Sequence, residues 1–333
     1  DFCLSRGLGD VYKRQAYAEL NPIRRRSLHR RIARSLEELY VNDSEGVSGW
    51  LAAHYDAAGM AEQAIRHCLI AASVAKRRFA DAEAADLIRH ALRLCRELPE
   101  SAKRDKEELT LLVTLGSLVT THGYSMPEVG DTYERGLVIS RQIGDQEHLF
   151  PLLYGAWLFH IVRGELEDSR RVAQDSVDAA LREKATAEQM ASQFLLGTSL
   201  FHLGQLDASW EQIEQAVQAE GGPAHPALAL LAGPDLGVFR RAYLSHLQCL
   251  FGHTVEAQAM SDESIVHARE VSHPFTLGIA LDYAAMLNVY RREGKLALAR
   301  AEEASEICRK YGFVYYLAFA DILAGWAMGV EGD

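Results

Sequence analysis

Apolar residues recur along this chain at intervals of three and four, the spacing that places them on one face of an α-helix. In the segment that opens at Pro22, Leu28, Ile32, Leu36 and Leu39 share a face, while Arg24, Arg25, Arg26, Arg30, Arg31 and Arg34 occupy the rest. Asn42, Asp43, Ser44 and Gly46 supply the turn that follows. From there the pattern predicts helix after helix, and runs of β-branched residues with period-two alternation are hard to find. Proline marks several starts, at Met126-Pro127-Glu128, Phe150-Pro151 and His273-Pro274, because its missing N–H costs nothing in a first turn. A final helix is expected from about Tyr315 to Met328.

A second pattern is laid over the first. Leu51-Ala52-x-x-Tyr55-x-x-x-Gly59-x-x-x-x-Ala64 combines small, large and turn-forming residues in a fixed order. Small residues let the two helices of a hairpin approach, large ones fill the gap, and glycine tolerates the turn. The order recurs: Leu115-Gly116 precedes Gly123, Tyr154 and Trp157 precede Gly164, Leu196-Gly197 precedes Gly204, Leu244 precedes Gly252, and Tyr290 precedes Gly294. Five residues after four of these glycines stand Ser169, Ser209, Ala257 and Ala299; the hairpin after Gly123 departs, since Tyr124 to Met126 extends its turn.

With Ala80 and Ala85 as a further turn and small partner, successive turns lie 43, 41, 40, 48 and 42 residues apart. That exceeds the tetratricopeptide period of about 34 and overlaps the range of about 40–47 for HEAT and armadillo repeats. The Leu-small-aromatic-Gly-small order favours tetratricopeptide-like hairpins with lengthened helices. The expected fold is therefore all-α, a right-handed superhelix of such hairpins (an α-solenoid) over residues 16–330. The longest spacing contains Glu220 to Gly237, read as a long internal loop packed by its own Leu and Ala residues.

Two ends fall outside this pattern. Ser5 to Gln15 reads SRGLGDVYKRQ, which looks like a translated sequencing adapter, so residues 1–15 are set aside as non-native. The last helix lacks a hairpin partner or polar cap, so the chain is expected to be truncated at both ends.

Composition narrows the function. A net charge of -11 argues against nucleic acid, whose phosphates call for a basic surface. No apolar stretch is long enough to span a bilayer, Phe275 to Tyr290 being broken by Asp282 and Asn288. Cys3, Cys68, Cys95, Cys249 and Cys308 lie far apart with no C-x-x-C pair, which reads as reduced thiols of a cytoplasmic protein.

Catalytic motifs are missing. Gly7-x-Gly9 with Lys13 is no Walker loop, which needs G-x-x-x-x-G-K-[ST]. His29, His54, His67 and His90 are dispersed, and His202, His246 and His253 sit in different hairpins, so no metal is expected. No nucleophile elbow or Cys-His signature occurs. Glu302-Glu303 and Glu37-Glu38 are sequence neighbours, which diverge on a helix and read as solvated charges. No catalytic residue and no cofactor is assigned. The Arg-rich first helix reads as a solvated polar face, with docking on an acidic partner as the other reading.

Binding is the remaining chemistry. In such arrays the first helix of each hairpin lines the concave groove. Counting back from the turn glycines places Tyr154, Leu158, Phe194, Thr198, His202, His246, Asn288 and Arg292 there, a set suited to a protein, a peptide or a small ligand. The plainer reading is that Tyr154 and Phe194 fill space between hairpins.

Several blocks resemble a known family. They are RSLHRRIARSLEEL at Arg26, LAAHYDAAGMAEQAIRHCLIAA at Leu51, FADAEAADLIRHALRLCRELPE at Phe79, PLLYGAWLFHIVRGELEDSRRVA at Pro151, GPDLGV at Gly233, SHPFTLGIAL at Ser272, Gly312-Phe313, and Gly325-Trp326-Ala327. Together they resemble the tetratricopeptide region downstream of the ATPase module in large bacterial signalling ATPases of the AAA or STAND type, many of which carry a class III adenylate/guanylate cyclase domain. GPDLGV departs from the family's usual GQDPGV. The resemblance implies a non-catalytic regulatory arm, with the upstream ATPase module of the same chain as one partner. The alternatives are the sensor region of a large maltose-activator-like transcriptional regulator and a free-standing peptide-binding adaptor.

Overall fold

The computed structural model describes residues 19–78, 80–120, 123–218 and 235–332. Among the described residues the chain is entirely α-helical, with no strand. The helices are α1 (Pro22–Leu39), α2 (Ser48–Ala57), α3 (Ala61–Arg77), α4 (Asp81–Glu97), α5 (Ala102–Thr120), α6 (Pro127–Ile143), α7 (Leu149–Arg163), α8 (Leu166–Glu183), α9 (Thr186–His202), α10 (Leu206–Gln218), α11 (Leu236–Leu250), α12 (Thr254–Val271), α13 (Pro274–Tyr290), α14 (Gly294–Tyr311) and α15 (Val314–Glu331). Residues 1–15, set aside above, lie outside the described residues, as does most of the loop from Glu220 to Gly237. The loop's last three residues belong to a helix start instead. Asp235 caps α11, its Oδ1 accepting the Val238 N–H at 3.1 Å, and its own N–H donates to Thr276 Oγ1 at 3.2 Å.

Two compact units divide the chain: Asp1–His122 with Arg135–His148, and Gly123–Glu134 with Leu149–Asp333. In unit 1, consecutive helices from α1 to α5 pack on one another, around fully buried Leu51, Ile65, Ile88, Leu109 and Leu112. Glu108 is buried on α5, and its carboxylate accepts two bonds from the Arg135 guanidinium, both at 3.1 Å. Such a fork satisfies a buried charge that would otherwise be costly. Helix α1 is anchored through Ala33, while Ile32 and Leu39 of its expected apolar face are exposed.

In unit 2 the pairs α7/α8, α9/α10, α11/α12 and α13/α14 are hairpins, with α15 laid on α14. Alternate helices also touch, α11 with α13 and α13 with α15, so the first helices of successive hairpins form a row of their own.

The turn pattern explains the hairpins and corrects one register. Gly59, Gly164, Gly204 and Gly252 adopt left-handed φ of 71°, 72°, 74° and 90°, the conformation that lacks a steric cost only in glycine. Five residues after each stands a small residue with no exposed surface: Ala64, Ser169, Ser209 and Ala257. In the next hairpin the left-handed residue is Arg292, φ 59°, and the buried small residue is Ala297. The turn thus falls two residues before Gly294, which already belongs to α14, and Ala299 is exposed.

Close approach is visible where α9 meets α10. A Cβ added to Gly197 would lie 2.5 Å from Ile213 Cγ1. Ser209 Oγ closes the same seam by donating to the Gly197 carbonyl at 2.7 Å, and between α8 and α9 Ser176 pairs with Ser192 at 2.7 Å. The buried Trp157 indole donates to Ser199 Oγ at 2.9 Å.

Candidate binding site

The row of first helices in unit 2 carries most of the unit's aromatic residues, because rings at intervals of three, four and seven share a helix face. On α9 stand Phe194, Phe201 and His202; on α11 Phe239, Tyr243 and His246; on α13 Tyr283 and Tyr290; on α15 Tyr315, Tyr316 and Phe319. They interlock across helices. Phe194 meets Tyr243 edge to face at 5.8 Å, Tyr243 meets Tyr283 at 5.2 Å, and Tyr283 meets Phe319 at 5.9 Å. Perpendicular and tilted ring contacts of this kind add to the stabilisation from burial alone.

A chain of polar contacts runs through the rings. His202 Nε2 pairs with the Tyr243 hydroxyl at 3.0 Å, and that hydroxyl pairs with the Tyr283 hydroxyl at 3.2 Å. His246 stacks on Tyr283 at 5.6 Å and donates from Nε2 to the Tyr283 carbonyl at 2.8 Å. Burial pushes the His246 imidazole down to about 4, so it stays neutral. Burial also lowers His202 and raises the phenols of Tyr154, Tyr243, Tyr283 and Tyr316.

The row curves back on itself. Tyr124, ahead of α6, meets Tyr315 at the start of α15 with centroids 5.6 Å apart, although α6 to α14 intervene in sequence. Tyr124, Tyr154, Tyr283 and Tyr316 keep partial solvent exposure, and Tyr315 is 48% exposed.

The residues expected in the groove divide into two groups. Phe194, His202 and His246 belong to the ring network, and Tyr154 lies against Trp157 at 5.9 Å. Thr198 is buried one turn after Phe194, its hydroxyl without a partner among the described residues, and Leu158 is half-buried on α7. Asn288 and Arg292 stand elsewhere. Asn288 is buried toward its hairpin partner, donating to Glu293 at 2.8 Å and accepting from Arg300 at 2.8 Å. Arg292 is the exposed left-handed turn residue.

Sequence reading missed Tyr243, Tyr283, Tyr315 and Tyr316. The signal was present in the spacing 239, 243, 246 on α11 and 283, 290 on α13, read in phase across hairpins. Counting from Gly294 instead of Arg292 shifted the phase on α13 and selected Asn288.

Histidines dispersed in sequence do come together in unit 1, where His29 Nδ1 and His54 Nδ1 lie 2.8 Å apart. In unit 2, His160, Glu165 and Asp168 offer three ligand atoms close together. Their charges are already met: Glu165 takes Arg163 at 2.7 Å and His160 at 2.7 Å, and Asp168 takes Arg171 at 2.7 Å. The cysteines Cys68, Cys95, Cys249 and Cys308 are free thiols.

Hairpins of paired helices, first helices in a row and a small residue five positions after each turn define a helical-repeat protein of the tetratricopeptide-like class. No family model matches the chain. A curated relative, an uncharacterized protein of Rhizobium meliloti (strain 1021), is 23% identical over 316 residues, covering 91% of this chain and 30% of the relative. The chain therefore spans about a third of that protein's length. Among solved structures, the apo form of RapI aligns with TM-score 0.54 at 10% identity, over 80% of this chain and 97% of its own. A Rap protein complexed with Competence and Sporulation Factor aligns with TM-score 0.51 at 11% identity, over 97% of both chains. A Signal Transduction ATPase with Numerous Domains from Pyrococcus horikoshii, bearing a tetratricopeptide repeat sensor, aligns with TM-score 0.53 at 14% identity, over 90% of this chain and 46% of its own. At these identities the likeness is one of fold. No helix among the described residues is long and apolar enough to cross a membrane.

Proposed function

We propose that this chain is a non-catalytic regulatory region that binds a peptide or a peptide-like segment of a partner along the aromatic row of unit 2. The observation that carries this reading is the row itself. Phe194, Tyr243 and His246 are buried at its base, while Phe201 of α9, Phe239 of α11, Tyr283 of α13 and Tyr316 and Phe319 of α15 keep exposure that a purely structural core would have eliminated. Rigid aromatic side chains give large contact area for little lost rotamer freedom, which suits them to recognition.

The similar Rap structure holds Competence and Sporulation Factor, and the similar STAND protein uses its tetratricopeptide region as a sensor. Both support a ligand-reading role. We further propose that the region belongs to a larger ATP-binding signalling protein, where ligand binding biases the state of an ATPase module in the same chain. Such coupling requires a ligand that prefers one arrangement of the hairpins.

Two experiments test these readings. Screening the purified chain against a random peptide library should yield binders whose affinity falls at least about tenfold in a Tyr283→Leu variant that retains its helical circular dichroism. Binders indifferent to Tyr283, Phe201 and Tyr243 substitutions would place recognition elsewhere. Sequencing the flanking genomic DNA should reveal an upstream P-loop ATPase, and a frame opening near residue 16 without one would refute the signalling-ATPase context.

A further inference from the structure

Helix α1 holds its charges in an arrangement that works against its own stability. Six of its eighteen residues are arginines. Arg24, Arg25 and Arg26 stand at its start, where the first turn contains no carboxylate, whereas α3, α4 and α8 open with Glu62, Asp81 and Glu167. The N-terminal end of a helix dipole is positive and favours anions. Arg26, Arg30 and Arg34 follow one another at intervals of four, a spacing at which like charges repel.

Carboxylates do not relieve the crowding. Arg24, Arg26, Arg30, Arg31 and Arg34 are all exposed and make no ion pair among the described residues. Elsewhere in unit 1, Arg77 meets Glu45, Arg89 meets Asp86 at 2.7 Å, and Arg104 meets Asp105 at 2.8 Å. Of the two carboxylates on α1, Glu37 turns to His67 of α3, at 3.5 Å. An apolar edge runs beside the arginines. Ile32 and Leu39 stand seven residues apart, as do Arg24 and Arg31, so the two pairs form neighbouring stripes in the relation of a and g positions of a coiled coil. Ile32 is 41% and Leu39 77% exposed.

We propose that this edge of α1 is a docking surface for an acidic amphipathic helix of a partner protein. The partner's apolar residues pack on Ile32 and Leu39, and its carboxylates supply the charge that Arg24 and Arg31 lack within the fold. The chain's negative charge is concentrated in unit 2, and unit 1, to which α1 belongs, is close to neutral, so an acidic partner meets a locally basic surface. The aromatic row belongs to unit 2, and the inference does not rest on it. Two other anionic partners fit less well. Nucleic-acid phosphates satisfy arginines but gain nothing from Ile32 and Leu39. An anionic membrane takes up a helix by its broad apolar face, and in α1 that face, Leu28, Ala33 and Leu36, is already buried or half-buried.

The test adds the full chain to a fluorescein-labelled three-heptad peptide, with leucine at a and d and glutamate at e and g, and follows anisotropy. Glutamate at those positions keeps the peptide from pairing with itself. The peptide should bind saturably, at least about tenfold more tightly than a scrambled peptide of the same composition. Binding should weaken at least about tenfold between about 50 and about 500 mM salt. Arg24→Glu with Arg31→Glu should lower affinity at least about tenfold, as should Ile32→Ser with Leu39→Ser. These side chains are exposed, so both variants should keep their helical circular dichroism, and Tyr283→Leu should bind the peptide normally. No saturation through the millimolar range overturns the proposal, as does equal binding of the scrambled peptide or undiminished binding by the charge-reversed chain. Oligothymidine or phosphatidylserine vesicles bound more tightly than the peptide overturn it in favour of nucleic acid or a membrane. Sedimentation showing a dimer of the unmodified chain and a monomer of the charge-reversed one gives the surface to a second copy. Binding lost in Tyr283→Leu and kept in the α1 variants moves the peptide to the aromatic row, defeating this proposal and leaving the groove reading in place.

Discussion

Arg292 occupies a turn position that glycine fills in four sister hairpins. A left-handed conformation costs a residue with a Cβ about 1–2 kcal/mol, against about 0.5–1 kcal/mol of extra chain entropy for glycine. Arg292→Gly should therefore stabilise the protein by about 0.5–1 kcal/mol, and Gly204→Ala should destabilise it by a similar amount, both read from urea midpoints. Two buried groups set opposite pH trends. Asp282 has no exposed surface and no hydrogen-bond partner for either carboxyl oxygen among the described residues, and burial, with Asp321 nearby, pushes it from 3.8 up to about 8. Between those values the folded state holds a proton that the unfolded state has lost, so stability falls as pH rises, by about 1.4 kcal/mol per unit at most. His246 is pushed down from 6.5 to about 4. Between pH 4 and 6.5 the unfolded state holds the extra proton, and stability rises with pH at a similar slope. From these two groups the profile should be flat between about 4 and 6.5 and then decline toward 8. Asp282→Asn should remove the decline and uncover a rise between about 4 and 6.5. An unchanged profile in the variant would show that Asp282 is ionised and solvated in the folded protein.

Helices and hairpins were largely legible in the sequence because their determinants are local. Apolar spacing, proline at helix starts and a small residue five positions after a turn glycine each act within one hairpin, and Ser169, Ser209 and Ala257 are buried as that logic requires. The register failed only where no glycine announced the turn, at Arg292, since left-handed backbone on arginine is chosen by packing and not by propensity. Division of the chain into two units was not legible either, because it depends on contacts between segments far apart in sequence. Of the site, positions on α9 and α11 could be counted from their turns, whereas the meeting of Tyr124 with Tyr315 depends on curvature accumulated over several hairpins. The close-approach logic makes a direct prediction at Gly197. Alanine there gains about 1 kcal/mol of helix propensity but forces its Cβ against Ile213, an overpacking that costs about 1–3 kcal/mol. Gly197→Ala should be net destabilising. Gly325→Ala on α15, where an added Cβ meets nothing within 4 Å, should stabilise by up to about 1 kcal/mol. Thermal melts of the two variants moving in the same direction would contradict the packing account.

At the scale of the whole molecule, the inner row of unit 2 should be its weak point in alkali. Thirteen tyrosines are present. Burial pushes Tyr154, Tyr243, Tyr283 and Tyr316 well up, raises Tyr55 and Tyr290 to about 12, and raises Tyr124 and Tyr315 as well. All of these except Tyr55 lie in unit 2. A raised folded-state pKa means that the folded chain retains protons the unfolded chain gives up above about pH 10, so stability is lost as pH rises past that point. Absorbance at 295 nm should therefore show gradual ionisation of the remaining tyrosines, followed by a cooperative step in which the shifted ones ionise as unit 2 opens. A single smooth titration of all thirteen near pH 10 would mean that the row is open to water throughout. The same step reports ligand binding. A ligand seated on the row binds only the folded form, and at about a hundredfold excess over its dissociation constant adds about 2.7 kcal/mol of stability. It should shift the cooperative step to higher pH and leave the early, gradual phase in place, and Tyr283→Leu should abolish the shift if the ligand sits on the row.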